Sequence, residues 1–146
     1  MTQDIKVKIS NLTKIFGPKA QSVLKHVDNG MGKDDLLMEH KHVLGLSNIN
    51  LELANKNIEV IMGLSGSGKS TLIRHINRLI EPTAGSIMIG GEDVIQMPME
   101  KLRQFRQQKT AMVFQSFALL PHKTIMDNVC LGVHLQGIKA DEATSR

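Results

Sequence analysis

Residues 63–71 read GLSGSGKST, three glycines and three serines around a single lysine that is followed by two hydroxyl side chains. Gly63, Gly68, Lys69 and Ser70 fit the spacing G-x-x-x-x-G-K-[ST]. Chemistry that needs this composition is the holding of a polyphosphate. Glycines such as Gly66 and Gly68 admit backbone conformations, and a closeness to an anion, that a Cβ forbids. Successive N–H groups then turn inward as a nest, and a following helix adds its unsatisfied N-terminal N–H groups. Lys69 is placed to reach the terminal phosphates as a point charge, and the Ser70 hydroxyl to ligate Mg²⁺. The competing reading is an ordinary glycine-rich turn before a helix, and the elements on either side argue against it.

Upstream, residues 58–62 (IEVIM) form a short apolar run of strand length. Downstream, Leu72, Ile73, Ile76, Leu79 and Ile80 recur at helical spacing, with Arg74, His75, Asn77 and Arg78 on the other face. The loop is therefore expected to join a strand to a helix, which is the context this motif requires.

Other elements follow from the same patterns. Ile5, Val7 and Ile9 alternate with lysines as a half-buried strand, closed by residues 11–18 (NLTKIFGP). Val23, Leu24, Val27 and Met31 predict a short amphipathic helix that Asn29-Gly30 breaks, and Asp34-Asp35 open a second helix. Residues 42–53 return to alternation, with Ile49, Leu51 and Leu53 facing one way. A strand over residues 86–89 precedes a tight reversal at Gly90-Gly91. Pro98 suits the first turn of a helix whose apolar edge is Leu102 and Phe105; Lys101, Arg103, Arg106 and Lys109 read as its solvated face. Residues 110–115 (TAMVFQ) predict a second buried strand that ends in a polar residue, Gln115. Thr124 is an N-cap candidate for a helix through Ile125, Met126, Val129 and Val133. Residues 140–146 read as the opening turn of another helix.

With 146 residues, 41% hydrophobic and 22% charged, the chain has the composition of a soluble globular domain of ordinary size. No apolar stretch approaches the roughly 18 residues that span a bilayer, and the first ten residues lack a secretory signal's apolar core. A single cysteine, Cys130, excludes an internal disulfide and fits a reducing cytosol. The net charge of +4 is compatible with phosphate ligands without demanding them. With no Trp, no Tyr and four Phe, the chain lacks the aromatic-rich basic surface of a single-strand nucleic-acid binder, and no nucleic-acid partner is expected.

Residues 63–94 (GLSGSGKSTLIRHINRLIEPTAGSIMIGGEDV), followed by residues 110–129 (TAMVFQSFALLPHKTIMDNV), resemble the ATP-binding subunits of ABC transporters, above all those of glycine betaine/proline betaine importers. The likeness covers nearly the whole chain. It implies an α/β fold, the P-loop NTPase fold of an ABC nucleotide-binding domain, present in part: an N-terminal β subdomain and the start of a RecA-like core, the chain ending as it enters the helical subdomain. One domain over residues 1–146 is then expected, with a helical insert at 18–41, the phosphate loop at 63–71 and a Q-loop region at 110–124. The cofactors implied are ATP and Mg²⁺. Gly63, Ser65, Gly66, Ser67, Gly68, Lys69, Ser70 and Thr71 would hold the nucleotide, and Ser70 with Gln115 the metal. Lys69 and Gln115 carry the catalytic roles, Gln115 matching the Q-loop glutamine 46 positions after Lys69 (115 − 69). Phe16 matches the aromatic that stacks on adenine. Its competing reading is a plain core Phe. His122 and Lys123 lie in the stretch from Phe117 to Thr124 that would meet the membrane-spanning permease subunits. The resemblance further implies a second copy of the chain as partner, and a peripheral place on the cytoplasmic face of the plasma membrane.

The sequence departs from the family in two ways. Lys56, Asn57 and Glu59 replace the usual Gly-Glu pair and an apolar residue, and Glu59 in a buried strand would be costly without a partner. No apolar run ending in Asp-Glu, no LSGGQ-type signature and no switch histidine follows Gln115 within the 146 residues. The expectation is an ATP-binding component of a transport-coupled ATPase, with no appreciable hydrolysis by these residues alone. Two alternatives stand beside it: an ABC-type module without a transport role, such as the DNA-repair ATPases, and a non-hydrolysing fragment. The first predicts heptads or a zinc insert between the motifs, and neither is present.

Overall fold

A computed structural model describes residues 4–116 and 118–138. They fall into two compact units, Met1–Met97 and Pro98–Arg146. The first unit is built on a four-stranded antiparallel sheet in the order β2-β1-β3-β4. Its strands are β1 (Ile5–Phe16), β2 (Val43–Ala54), β3 (Ala84–Ile89) and β4 (Glu92–Asp93).

β1 is longer than its alternation predicts. The strand does not close at residue 11; it bulges there, with Asn11 at φ 51° and a register shift between Ile9 and Leu12, and runs on to Phe16. A bulge lets a strand lose its period without losing its ladder, which is why the alternation hid the second half. Asn48 at φ 49° marks the matching irregularity in β2, and its N–H donates to Thr13 Oγ1 at 3.0 Å. The bulge keeps Ile9, Leu12 and Ile15 at 1% exposure or less. Thr83 fastens β3 beside it: Thr83 N–H donates to Thr13 O at 2.9 Å, and Thr83 Oγ1 accepts from Ile15 N–H at 3.0 Å. Gly90 and Gly91, both at positive φ, make the reversal into β4.

Between β1 and β2 a single 3-10 turn (Ala20–Val23) runs into α1 (Leu24–Asp28), and α2 (Lys33–His40) follows. Val23, Val27 and Leu36 close a cluster with Ile15, against which Ala20, Leu24, Met31 and Leu44 pack. α3 (Lys69–Ile76) buries Leu72 and His75. It ends a turn earlier than the apolar spacing predicts, and Leu79 is half-exposed.

The strand expected at residues 58–62 is absent, and Ile58, Val60 and Met62 are 93%, 72% and 86% exposed. A mostly apolar run of this length reads as a central strand covered from both sides, and no described residue pairs with it. Glu59 is consequently exposed and carries none of the burial cost expected of it.

The second unit holds α4 (Met99–Gln108) and α5 (Ile125–Leu135), with Leu102, Phe105 and Cys130 buried. Pro98 stands just ahead of α4 as its N-cap residue. The strand expected at residues 110–115 is likewise absent, with Val113 97% exposed, so Gln115 does not sit at a strand end. Thr124 caps α5 as expected: its Oγ1 accepts from Asp127 N–H at 3.1 Å, while Asp127 Oδ2 accepts from Thr124 N–H at 3.3 Å. Hydrogen bonding to the carboxyl from Thr124, from its hydroxyl first and its backbone N–H second, holds Asp127 below the usual carboxylate range. The apolar residues named for α5 are largely outside the core, with Ile125 85% and Val129 74% exposed. The helix expected at residues 140–146 lies outside the described residues. Among the described residues no helix is long and apolar enough to cross a membrane.

Candidate functional site

The glycine loop is built from the residues its spacing picked out. Gly66 (φ 77°) and Gly68 (φ 93°) both take the left-handed conformation that favours glycine. Gly68 is constrained twice over, since a Cβ on it would lie 2.8 Å from Gly45 O and 2.9 Å from Leu46 Cδ2. Ser67 N–H donates to Leu64 O at 3.2 Å and closes the loop's tight turn.

Lys69 folds back over this loop. Its ammonium donates to Gly63 O and Leu64 O, each at 2.7 Å, and to Ser67 Oγ at 3.3 Å. Gly68 is the N-cap residue of α3 and supplies no side-chain acceptor, and the helix's first turn carries no acidic residue. The first-turn N–H groups therefore keep the positive end of the helix uncompensated, the arrangement that favours an anion. Ser70 is exposed beside them and Thr71 is half-buried.

One turn further along, His75 is fully buried, although its sequence neighbours had placed it on the polar face. Its Nδ1 lies 2.7 Å from Thr71 O. Burial lowers the His75 pKa; the Thr71 carbonyl opposes that shift and the charge of Lys14 adds to it. A neutral ring donating from Nδ1 to Thr71 O bridges one turn within α3.

Phe16, at the end of β1, is 39% exposed with its ring edge against Gly45 of β2. Lys14 Nζ sits 5.1 Å from the ring centroid and donates to Glu81 O at 2.7 Å. Phe16 is thus a half-exposed rim aromatic rather than a plain core residue, and it belongs to the same unit as the glycine loop.

Gln115, His122 and Lys123 belong to the second unit, and all three are exposed. Phe117 lies outside the described residues. The turn before α5 is clamped by Asn128, whose Oδ1 accepts from Leu120 N–H at 2.7 Å and whose Nδ2 donates to Thr124 O at 2.8 Å.

The family profile described as ABC transporter matches residues 46–146, more than half of the chain. The chain belongs to the ABC transporter family. It is 48% identical over 94% of its length to the glycine betaine/proline betaine transport system ATP-binding protein ProV of Escherichia coli, of which it covers 34%. To the glycine betaine transport ATP-binding protein OpuAA of Bacillus subtilis it is 45% identical over 94% of its length, covering 33%. The chain thus spans about a third of the length of these relatives. Among solved structures it is similar to the dimeric, post-hydrolysis ATP-binding cassette MJ0796 bound to ADP and Pi. There the TM-score is 0.74 at 29% identity, covering 95% of this chain and 53% of that one.

This ABC domain also uses residues that pattern reading passed over. Gly45, His42, His75 and Asn128 carry no motif, and each matters through what lies across from it. For Gly45 one signal was available, a glycine inside an alternating strand, which often marks a close approach of other atoms.

Proposed function

We propose that the chain is the nucleotide-holding part of an ABC importer subunit that binds Mg·ATP at residues 63–71. The observation that carries this reading is the loop itself. Two left-handed glycines lead into a helix with no side-chain cap and no acidic residue in its first turn, and the lysine there donates to the loop it would leave for an anion. Gly63, Ser65, Gly66, Ser67 and Gly68 line the phosphates with backbone N–H groups. Lys69 gives its ammonium to the terminal phosphates, and Ser70 and Thr71 offer hydroxyls, Ser70 toward Mg²⁺. Phe16 takes the adenine on its exposed ring. When bound, Mg·ATP supplies the phosphoanhydride whose cleavage drives transport. Gln115 is the residue that meets the metal and the attacking water and reports nucleotide state.

Likeness to ATP-binding proteins named for glycine betaine and proline betaine transport supports uptake of a quaternary-ammonium osmolyte as the process served. The partners are then a second copy of the subunit and membrane-spanning permease subunits, met through residues 117–124 at the cytoplasmic face of the membrane. The sequence of these 146 residues has no apolar run ending in Asp-Glu and no LSGGQ-type motif after Gln115. The chain by itself accordingly binds the nucleotide without turning it over.

Calorimetric titration of Mg·ATP into the full chain tests the reading. Binding is expected, weakened about tenfold or more in Lys69→Ala because charge-assisted hydrogen bonds are lost, with no phosphate release above background. Equal affinity in both proteins would refute the phosphate loop, and phosphate release abolished by Lys69→Ala would refute the absence of turnover.

A further inference from the structure

Phe16, Gly45 and Gly68 are linked by two close approaches. A Cβ on Gly45 would lie 2.6 Å from Phe16 Cε2 and 3.2 Å from Cδ2, and a Cβ on Gly68 would lie 2.8 Å from Gly45 O. One residue of β2 therefore carries the aromatic ring on its Cα side and receives the residue before α3 at its carbonyl. Gly45 is not among the glycines at positive φ, so its backbone does not require glycine. The close approach of the ring does.

The neighbouring residues hold the ring's backbone in place. A Cβ on Gly17 would collide with the His42 ring, whose Nε2 lies 2.8 Å from Pro18 O and whose Nδ1 lies 2.6 Å from His40 O. His42 is buried at 7% exposure and joins the turn after Phe16 to the end of α2. Lys14, anchored on Glu81 O, stands over the ring. With the backbone at Phe16 fixed by these contacts, the ring's position depends on the missing side chain at residue 45.

We propose that Gly45 is a positioning residue for base recognition, setting the distance between the aromatic that takes the base and the loop that takes the phosphates. This rests on the reading above, in which Phe16 contacts adenine and residues 63–71 hold the phosphates. A methyl group at residue 45 pushes the Phe16 ring off β2 and leaves the phosphate loop intact, because the atom it strikes is the far edge of a side chain. Gly45→Ala therefore weakens ligands that have a base and spares ligands that are phosphate only.

The experiment measures Mg·ATP and Mg·tripolyphosphate affinities for the full chain as wild type, Phe16→Ala, Gly45→Ala and the double variant. Circular dichroism of each variant reports the fold. Expected are a loss of ATP affinity of about tenfold in each single variant, the size of one base–aromatic stack, and tripolyphosphate affinity within about twofold of wild type. The double variant is expected to be no worse than Phe16→Ala alone, since the two changes act through one ring. Unchanged ATP affinity in Gly45→Ala, equal loss of both ligands, or additive losses in the double variant would each overturn the proposal. Should Gly45→Ala fail to fold, the double variant, which lacks the ring edge, is expected to fold. If it does not, the ring is not what the methyl strikes and the proposal falls. If Phe16→Ala leaves ATP binding unchanged, the base-contact reading fails and Gly45's role with it; if only Gly45→Ala is silent, that reading stands and this inference alone fails.

Discussion

Two kinds of segment in this molecule read as strands, and only one kind forms them. β1 and β2 alternate apolar and polar residues, need cover on one face, and find antiparallel partners in each other and in β3. Residues 58–62 and 110–115 are mostly apolar, and among the described residues no strand pairs with them; Ile58, Val60, Met62 and Val113 stand largely exposed. A half-buried strand can be satisfied by hairpin neighbours and one packed layer, whereas a two-faced strand depends on elements contributed from elsewhere in a sheet. The glycine loop follows one of these unpaired runs, yet it still shows left-handed glycines and an uncapped helix start. Its geometry comes from local residues and from the contact of Gly68 with β2, not from a strand feeding into it.

Substitutions that shrink side chains should separate the two kinds of segment most widely. Leu12→Ala, at 0% exposure, is expected to cost about 2–5 kcal/mol. Val60→Ser and Val113→Ser are expected to stay within about 0.5 kcal/mol, as exposed sites do. Urea midpoints compare them, and a loss above about 1 kcal/mol at Val60 or Val113 would show that these runs are covered in solution. A smaller effect is expected in the second unit. Thr124→Ala removes the side-chain half of the α5 capping box and should cost about 1 kcal/mol; no change in helix signal or midpoint would mean that α5 is held by something other than its cap.

The smallest expected effect is a pH dependence at His75. Burial lowers its pKa, so the folded state favours the neutral ring and the unfolded state binds protons more readily. The stability this contributes is present above the ordinary histidine value of 6.5 and is lost as pH falls below it toward the folded pKa. Melting between pH 7.5 and 5 should show a decline that is reduced in His75→Gln. Identical slopes would remove His75 from the account.

What the sequence made legible divides along the same line. Local chemistry read well: the glycine spacing, the Asn29-Gly30 break between α1 and α2, the Gly90-Gly91 reversal and the Thr124 cap all depend on neighbours a few residues away. The bulge at Asn11 was hidden because it interrupts the period on which strand reading relies. His75 read as polar surface because helical spacing shows which residues share a face and not how deep that face goes. Gly45 was passed over because the reason for a glycine there is a ring 29 positions earlier in the chain (45 − 16). The strands at 58–62 and 110–115 were read from composition typical of a covered strand, and composition alone does not supply the cover.

The most direct measurement is of the backbone amides themselves, by heteronuclear NMR of the full chain titrated with Mg·ATP. The largest shifts are expected on Gly66, Ser67, Gly68, Lys69, Ser70 and Thr71, and they are expected to disappear in Lys69→Ala. Saturable shifts elsewhere with these six amides unmoved would contradict the phosphate-loop reading.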